Sequence, residues 1–358
     1  MVGTLARFLV AGLLLGSAAC GGAETEPAPR PAQASIPVGW STLPEPPFFR
    51  HRGAAAWTGS ELVYWGGESE YGDDLHGDGA AFDPATGDWR ALPAGPLSPR
   101  SGAVAVWTGT EVLVWGGNRT TGAEGAAYDP SLDEWRTLPD SPLDARVPVG
   151  AVWTGTEMIV WGSASRAASG VDGAAYDLRE DRWRELPPAP FALNEATLVW
   201  TGEEMVVFGA RLDGNNWSDT EHARGAAFDP ATSRWRILPP YSFSPQASTA
   251  VWTGRELVVW DYELRSAAYD PAADRWRPLP DLPLDFSECY PKGAGAGVVL
   301  AWHCGRAALL DVAADSWSEI HGAPEDIFAP PVAAGSVFLF VGAYDESGGE
   351  SAWAYRPG

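Results

Sequence analysis

The sequence predicts an all-β ring of seven four-stranded sheets, and three observations predict it. An eleven-residue string recurs along the chain: WTGSELVYWGG at 57–67, WTGTEVLVWGG at 107–117, WTGTEMIVWGS at 153–163, WTGEEMVVFGA at 200–210 and WTGRELVVWDY at 252–262. A second string follows each one at a distance: GAAFDPATGDWRALP (79–93), GAAYDPSLDEWRTLP (125–139), GAAYDLREDRWRELP (173–187), GAAFDPATSRWRILP (225–239) and SAAYDPAADRWRPLP (266–280). The composition fits many short strands joined by tight turns and argues against long helices, with 41 glycines, 31 prolines and 19 tryptophans in 358 residues.

Each repeat unit divides into four strands. Strand a is the small-residue run before the Trp-Thr-Gly, as in SGAVAVW (101–107), and strand b is the EVLVWGG segment. Strand c is GAAYDP and strand d is the Trp-Arg-x-Leu-Pro segment. A Thr-Gly turn joins a to b, and an Asp-Pro turn joins c to d. Four such strands cannot bury both faces alone, so the units must stack, and radial stacking of four-stranded sheets makes a β-propeller. Two weaker copies follow, VVLAWHC with LLDVAADSWSEI (298–304, 309–320) and SVFLFVGA with SAWAYRPG (336–343, 351–358). The strand-d tryptophans count the blades as seven: Trp40, Trp89, Trp135, Trp183, Trp235, Trp276 and Trp317.

The two ends of the chain complement one another. WSTLP (40–44) is a strand d with no a, b or c before it, and AYRPG (354–358) is a strand c with no d after it. Residues 38–44 are therefore expected to complete the last blade and remove the open sheet edge. The once-per-blade tryptophans are expected to pack between neighbouring blades as core, not to form a sugar-stacking ladder.

With a Gly-Gly ending strand b, then a Tyr, then a Trp seven residues later, the unit resembles the kelch repeat family. The resemblance runs over residues 38–358 and implies a seven-bladed kelch-type propeller, expected to be a monomer. At the N-terminus, Arg7, the apolar FLVAGLLLG (8–16) and SAAC (17–20) resemble a bacterial lipoprotein signal. That resemblance implies a signal peptide over 1–20 ending at a lipidated Cys20. The apolar run is too short to span a bilayer. Residues 21–37 are rich in Pro, Ala and Glu with almost no large apolar residue, and read as a flexible tether. The expected location is extracytoplasmic, with the membrane reached through the lipid anchor alone.

Charge narrows the partners. The chain has 47 acidic and 24 basic residues, a formal net charge of −23, which repels phosphate backbones and excludes nucleic acid as a partner. The a–b and c–d turns are short and uniform. The b–c and d–a connections, on the opposite face, vary from ELRS (263–266) to RLDGNNWSDTEHARG (211–225). Recognition is expected on that variable face. Seven residues before the Trp-Thr-Gly tryptophan stand Arg50, Arg100 and Arg146 in consecutive blades, with Asn194, Gln246, Glu288 and Asp326 near the equivalent place in later ones. Adjacent arginines could hold a carboxylate or sulfate. The kelch resemblance implies another role, an arginine bonding loop carbonyls and bracing blades, and both readings stay open. Arg50, Arg100, Arg146, Asn194 and Gln246 are the candidate ligand-binding residues.

Metal and cofactor chemistry are not expected. The five histidines show no ligand spacing, and DDLHGDG (73–79) lacks the alternation of a calcium loop. No set of histidines matches the copper oxidases among kelch propellers, and no hydrolase or nucleotide fingerprint appears. Cys289 and Cys304 lie on strands a and b of the sixth blade, where an extracytoplasmic compartment permits a disulfide. The expected function is a binding module for a partner protein or an envelope glycan, not an enzyme. The alternative is a sugar-modifying enzyme resembling the sialic-acid mutarotases, acting on an acidic sugar at the channel mouth.

Overall fold

The computed structural model describes residues 36–358 apart from 49, 70–73, 118–122, 163–172, 192, 212–223, 244–248, 262, 285–291, 296–297, 304, 325–330 and 345–349. Among the described residues there are strands and turns and no helix. β1 (Gly39–Leu43) precedes six complete blades. Blade 1 holds β2 (Ala54–Trp57), β3 (Leu62–Trp65), β4 (Gly79–Asp83) and β5 (Asp88–Ala91). Blade 2 holds β6 (Ala103–Trp107), β7 (Val112–Gly116), β8 (Gly125–Asp129) and β9 (Glu134–Thr137). Blade 3 holds β10 (Gly150–Trp153), β11 (Glu157–Trp161), β12 (Gly173–Asp177) and β13 (Arg182–Glu185). Blade 4 holds β14 (Leu193–Trp200), β15 (Met205–Arg211), β16 (Arg224–Asp229) and β17 (Arg234–Ile237). Blade 5 holds β18 (Thr249–Trp252), β19 (Leu257–Trp260), β20 (Ser266–Asp270) and β21 (Arg275–Leu279). Blade 6 holds β22 (Lys292–Gly295), β23 (Val299–His303), β24 (Arg306–Asp311) and β25 (Ser316–Ile320). Blade 7 is β26 (Val332–Ala334), β27 (Val337–Tyr344) and β28 (Glu350–Arg356), with β1 as its fourth strand.

Every blade is antiparallel, six of them in chain order and the seventh closed by β1, and the fold is the seven-bladed propeller that the repeats predict. The first strands β2, β6, β10, β14, β18, β22 and β26 lie side by side in that order, with β26 back against β2, so they line the centre. The ring closes as expected, with β1 paired to β28 from Gly39 opposite Arg356 to Leu43 opposite Ala352. Ile36 and Pro37, at the end of the segment read as a tether, are among the described residues. Ile36 is an apolar residue at the end of a polar segment, and it is buried against Leu62, Phe82 and Leu339. Its carbonyl accepts from Arg356 Nη1 at 3.1 Å. The segment read as a tether over 21–37 thus contributes Ile36 to the core, because burying that side chain removes apolar surface from water.

Local turn chemistry sets the blade. In blade 2 the Thr108 amide and hydroxyl both donate to the Glu111 carbonyl at 3.0 Å, and the Glu111 amide donates back to Thr108 Oγ1 at 2.9 Å. Gly109 takes φ +102°, the left-handed value that a tight hairpin reserves for glycine at its first central position. The c–d turn closes on Asp129, whose Oδ1 accepts the Ser131 amide at 2.8 Å.

The core is divided among the junctions between blades. Strands b and c are buried on both faces, while strand d shows an exposed–half-buried–half-buried–exposed pattern. Ala126 and Ala127 on β8 are fully buried, and their small size lets neighbouring sheets approach. Each junction carries its own cluster: Val63, Trp65 and Ala81 of blade 1 meet Val112, Val114 and Tyr128 of blade 2, and the pattern repeats around the ring. A blade therefore has little stability apart from its neighbours. The strand-d tryptophans sit in these junctions, as expected. Trp135 Nε1 donates to the Pro93 carbonyl of the preceding blade at 3.1 Å, and Trp89, Trp183, Trp235 and Trp276 do the same to Pro44, Pro139, Pro187 and Pro239.

Candidate binding face

The b–c and d–a connections gather on one face, and the three arginines anchor it from within. Arg50, Arg100 and Arg146 are 3%, 0% and 1% exposed. Each turns its guanidinium into its own blade and donates from Nη1 to a glycine carbonyl sixteen residues on: Gly66 at 3.4 Å, Gly116 at 3.4 Å and Gly162 at 2.9 Å. Arg100 also donates from Nε to the Ser98 carbonyl at 2.9 Å and from Nη2 to Ser98 Oγ and Glu124 Oε2, both at 2.8 Å. Arg50 grips Asp78 through both terminal nitrogens, at 2.8 and 3.0 Å, and lies 4.2 Å over the Phe48 ring. Arg146 Nε donates to the Asp144 carbonyl at 3.0 Å.

The Gly-Gly that ends strand b exists for these contacts. Gly66, Gly67, Gly116 and Gly117 all have positive φ. The Gly67 amide donates to the Arg100 carbonyl at 2.9 Å, and the Gly117 amide to the Arg146 carbonyl at 3.1 Å. A Cβ on Gly66 would stand 2.8 Å from the Arg100 carbonyl oxygen. Arg100 and Arg146 are thus shared between two blades: each side chain bonds the glycine that ends strand b of its own blade, and each backbone carbonyl accepts from a glycine of the blade before, while the Arg50 carbonyl accepts from Tyr64 Oη of its own blade. Of the two readings the sequence leaves open, these contacts are those of bracing.

What this face presents outward is the partners of the arginines. The side chains of Asp78 and Glu124 are 70% and 62% exposed. Between blades 1 and 2 the half-buried Glu68 accepts from Arg52 Nη1 at 2.9 Å and from Ser101 Oγ at 2.5 Å, with His51 Nε2 at 3.5 Å. Burial works to raise the Glu68 pKa, but the bonds from Ser101 and Arg52 outweigh it and hold the carboxyl below its ordinary value. In blade 5, Asp261 replaces the first glycine. It is fully buried, and it accepts the Glu263 and Arg265 amides and the Arg265 guanidinium at 2.7–3.1 Å, which closes a short b–c connection.

Sequence reasoning missed a second set of polar residues on the opposite, turn-bearing face. The strand-d Arg90 clamps Glu61 of its own blade with Nε and Nη2 at 3.0 and 2.7 Å. Its Nη1 reaches Tyr128 Oη at 2.9 Å and Asp133 Oδ1 at 3.2 Å in the next blade. The signal was present, because Glu four residues after Trp-Thr-Gly's Trp and Arg one after the strand-d Trp recur together. Burial, before all other causes, pushes the pKa of Tyr128, Tyr176 and Tyr269 up to about 12.

The remaining candidates receive no side-chain geometry. Gln246, Cys289, Cys304 and Cys20 lie outside the described residues, as do Glu288 and Asp326. Asn194 is described in its backbone, paired with Ala210 where the β14–β15 register shifts, but not in its side chain.

Fold and face together define a repeat scaffold of the propeller class, rigid at its junctions and presenting loops on one side. The KLHDC2/KLHL20/DRC7 Kelch-repeats domain family matches residues 50–259, and the chain belongs to the kelch-repeat family. No curated protein matches it.

Proposed function

We propose that this chain is a lipid-anchored, extracytoplasmic kelch propeller that binds a partner protein through its loop-bearing face. Kelch propellers are a common protein-interaction module. The observation that carries the reading is the bracing itself. Three buried arginines hold the loop ends from behind, so that Asp78, Glu124 and the Arg52–Glu68 pair stand at fixed positions on the surface. Preorganised polar groups on a rigid scaffold lower the ordering cost of association. An acidic sugar would need free guanidinium groups in place of these, which supports binding over sugar chemistry. Charge reversal at Asp78, Glu124 and Arg52 tests the reading. Crosslinking on intact cells should yield the same discrete adduct with wild type and with a reversal on the turn-bearing face, and lose it with the loop-face variant. An adduct that persists in the loop-face variant refutes the reading.

The anchor belongs to the same proposal. Cys20 carries the lipid and becomes the first residue of the mature chain, residues 1–19 are removed, and the segment from residue 21 holds the ring above the membrane. Two acyl chains anchor stably where one does not. A Cys20→Ala variant should move from the detergent to the aqueous phase on partitioning, and its retention with detergent would refute the anchor. A disulfide between Cys289 and Cys304 would staple the most degenerate blade. The described hairpin pairs Lys292 with Trp302, so the bond requires a one-residue register shift beyond Lys292. Two free thiols from these positions in denatured, unreduced protein would exclude it.

A further inference from the structure

The junction between blades 3 and 4 departs from its neighbours in one respect. At the 1–2, 2–3 and 4–5 junctions, the strand-d arginine uses Nη1 to hold a tyrosine and an aspartate of the next blade. For Arg90 these are Tyr128 at 2.9 Å and Asp133 at 3.2 Å. For Arg136 they are Tyr176 at 3.4 Å and Asp181 at 3.7 Å, and for Arg236 they are Tyr269 at 2.7 Å and Asp274 at 3.0 Å. At the 5–6 junction Leu310 stands in the tyrosine position, yet Asp315 still takes Arg277 Nη1 at 2.6 Å. At the 3–4 junction, Phe228 and Ser233 occupy both positions. Arg184 keeps its bonds to Glu157, from Nε at 2.9 Å and Nη2 at 2.7 Å, but among the described residues its Nη1 has no partner.

The 7–1 junction shows what full loss of this device looks like. There Phe82 and Gly87 also replace the tyrosine and aspartate, and Ser41 stands at the arginine position, so no guanidinium is left over. Among the described residues, the 3–4 junction alone keeps the arginine without the acceptors of the next blade. Ser233 has φ +54°, the left-handed backbone that Asp133, Asp181, Asp274 and Asp315 share, so its hydroxyl starts from the place where a carboxylate stands elsewhere. Glu157, which fixes Arg184, also lines a groove of about 580 Å³ with Trp200, Glu204 and Pro230.

We propose that this junction is a carboxylate-binding site on the turn-bearing face. A ligand carboxylate takes the place of the missing aspartate, accepting hydrogen bonds from Arg184 Nη1 and from the Ser233 hydroxyl. The chain itself supplies the precedent, because Arg90 and Arg236 each hold two carboxylates at once. Glu203 and Asp229 on the groove wall repel further negative charge, so the ligand carries one carboxylate and is not a polyanion. Phe228 keeps the ring that fills the junction and removes only its hydroxyl, leaving room for a ligand of small cross-section. The carboxylate comes either from a free carboxylic acid or from an aspartyl or glutamyl side chain in a peptide. The site lies opposite the loop-bearing face, so it stands or falls separately from the function proposed above.

The test uses butyrate for the free acid and N-acetyl-aspartate N-methylamide for the peptide side chain, each against sodium chloride at equal ionic strength. At a hundredfold excess over Kd, binding to the folded state should raise Tm by about 4 °C, and the rise should saturate. The probe that shifts Tm identifies the source. Two variants remove the site by different routes. Arg184→Gln deletes the donor, while the double substitution Phe228→Tyr with Ser233→Asp supplies the missing acceptors from within. Both should abolish the shift, and the double variant should melt higher than wild type without ligand. Absence of a saturable shift with either probe, or a shift that survives in either variant, overturns the proposal.

Discussion

Replacing Arg100 by alanine tests whether the buried arginines are braces. The side chain is fully buried and makes four hydrogen bonds, two to Ser98 and one each to Gly116 and Glu124. They are unequal. The Gly116 contact is long at 3.4 Å, and the Glu124 carboxylate is 62% exposed and recovers water when its partner goes. The two short bonds to Ser98 remain, each worth about 1.5 kcal/mol net, the low end of the range for a charged donor. Adding the unfilled space left by the guanidinium gives a loss of about 4 kcal/mol, or a fall in Tm of about 6 °C for a ring of this size. Urea unfolding followed by tryptophan fluorescence measures it directly. Glu124→Ala serves as the comparison and should cost less than Arg100→Ala, since Glu124 is 62% exposed and Arg100 Nη2 keeps its bond to Ser98 Oγ when the carboxylate goes. A cost below about 1 kcal/mol for Arg100→Ala, or equal costs for the two variants, would refute the bracing account.

Other consequences can be checked on the same protein. Gly117→Ala should destabilise by about 2–4 kcal/mol, because φ is +83° and the new Cβ would lie 2.7 Å from the Ser101 carbonyl oxygen. Gly109→Ala, at φ +102° with nothing within 4 Å, should cost only the backbone strain of about 1 kcal/mol, and equal losses in urea would contradict the close-approach argument. Tyr128, Tyr176 and Tyr269 keep their protons up to about pH 12 in the folded ring, against an ordinary value of 10.0. Their contribution is therefore intact below pH 10 and is lost as pH rises from 10 towards 12, so the urea midpoint should fall across that window, and a flat profile would count against it. Deleting residues 36–43 leaves the β28 edge unpaired, and the cooperative melt should broaden or vanish until a peptide of residues 36–44 is added back.

The blade count, the four strands of each unit and the closure of the ring were legible in the chain itself. Their determinants are local: the Thr108–Glu111 turn, the positive-φ glycine within it and the alternation of small and large apolar residues all fall inside one repeat. The closing strand was legible too, because an unmatched strand d at one end and an unmatched strand c at the other admit one pairing. Ile36 was not, since nothing in a polar tether marks the residue that docks. The role of the arginines needed the tertiary structure, because a guanidinium seven residues before a tryptophan has the same sequence whether it faces a ligand or the Gly116 carbonyl. The same holds for the turn-bearing face. Arg90 meets Tyr128 and Asp133 across 38 and 43 residues, in a different blade. A repeat shows what each unit contains, but which residues face one another across a junction follows from the radial packing of sheets. That packing makes the Phe228 and Ser233 substitutions matter to Arg184, a residue in another repeat.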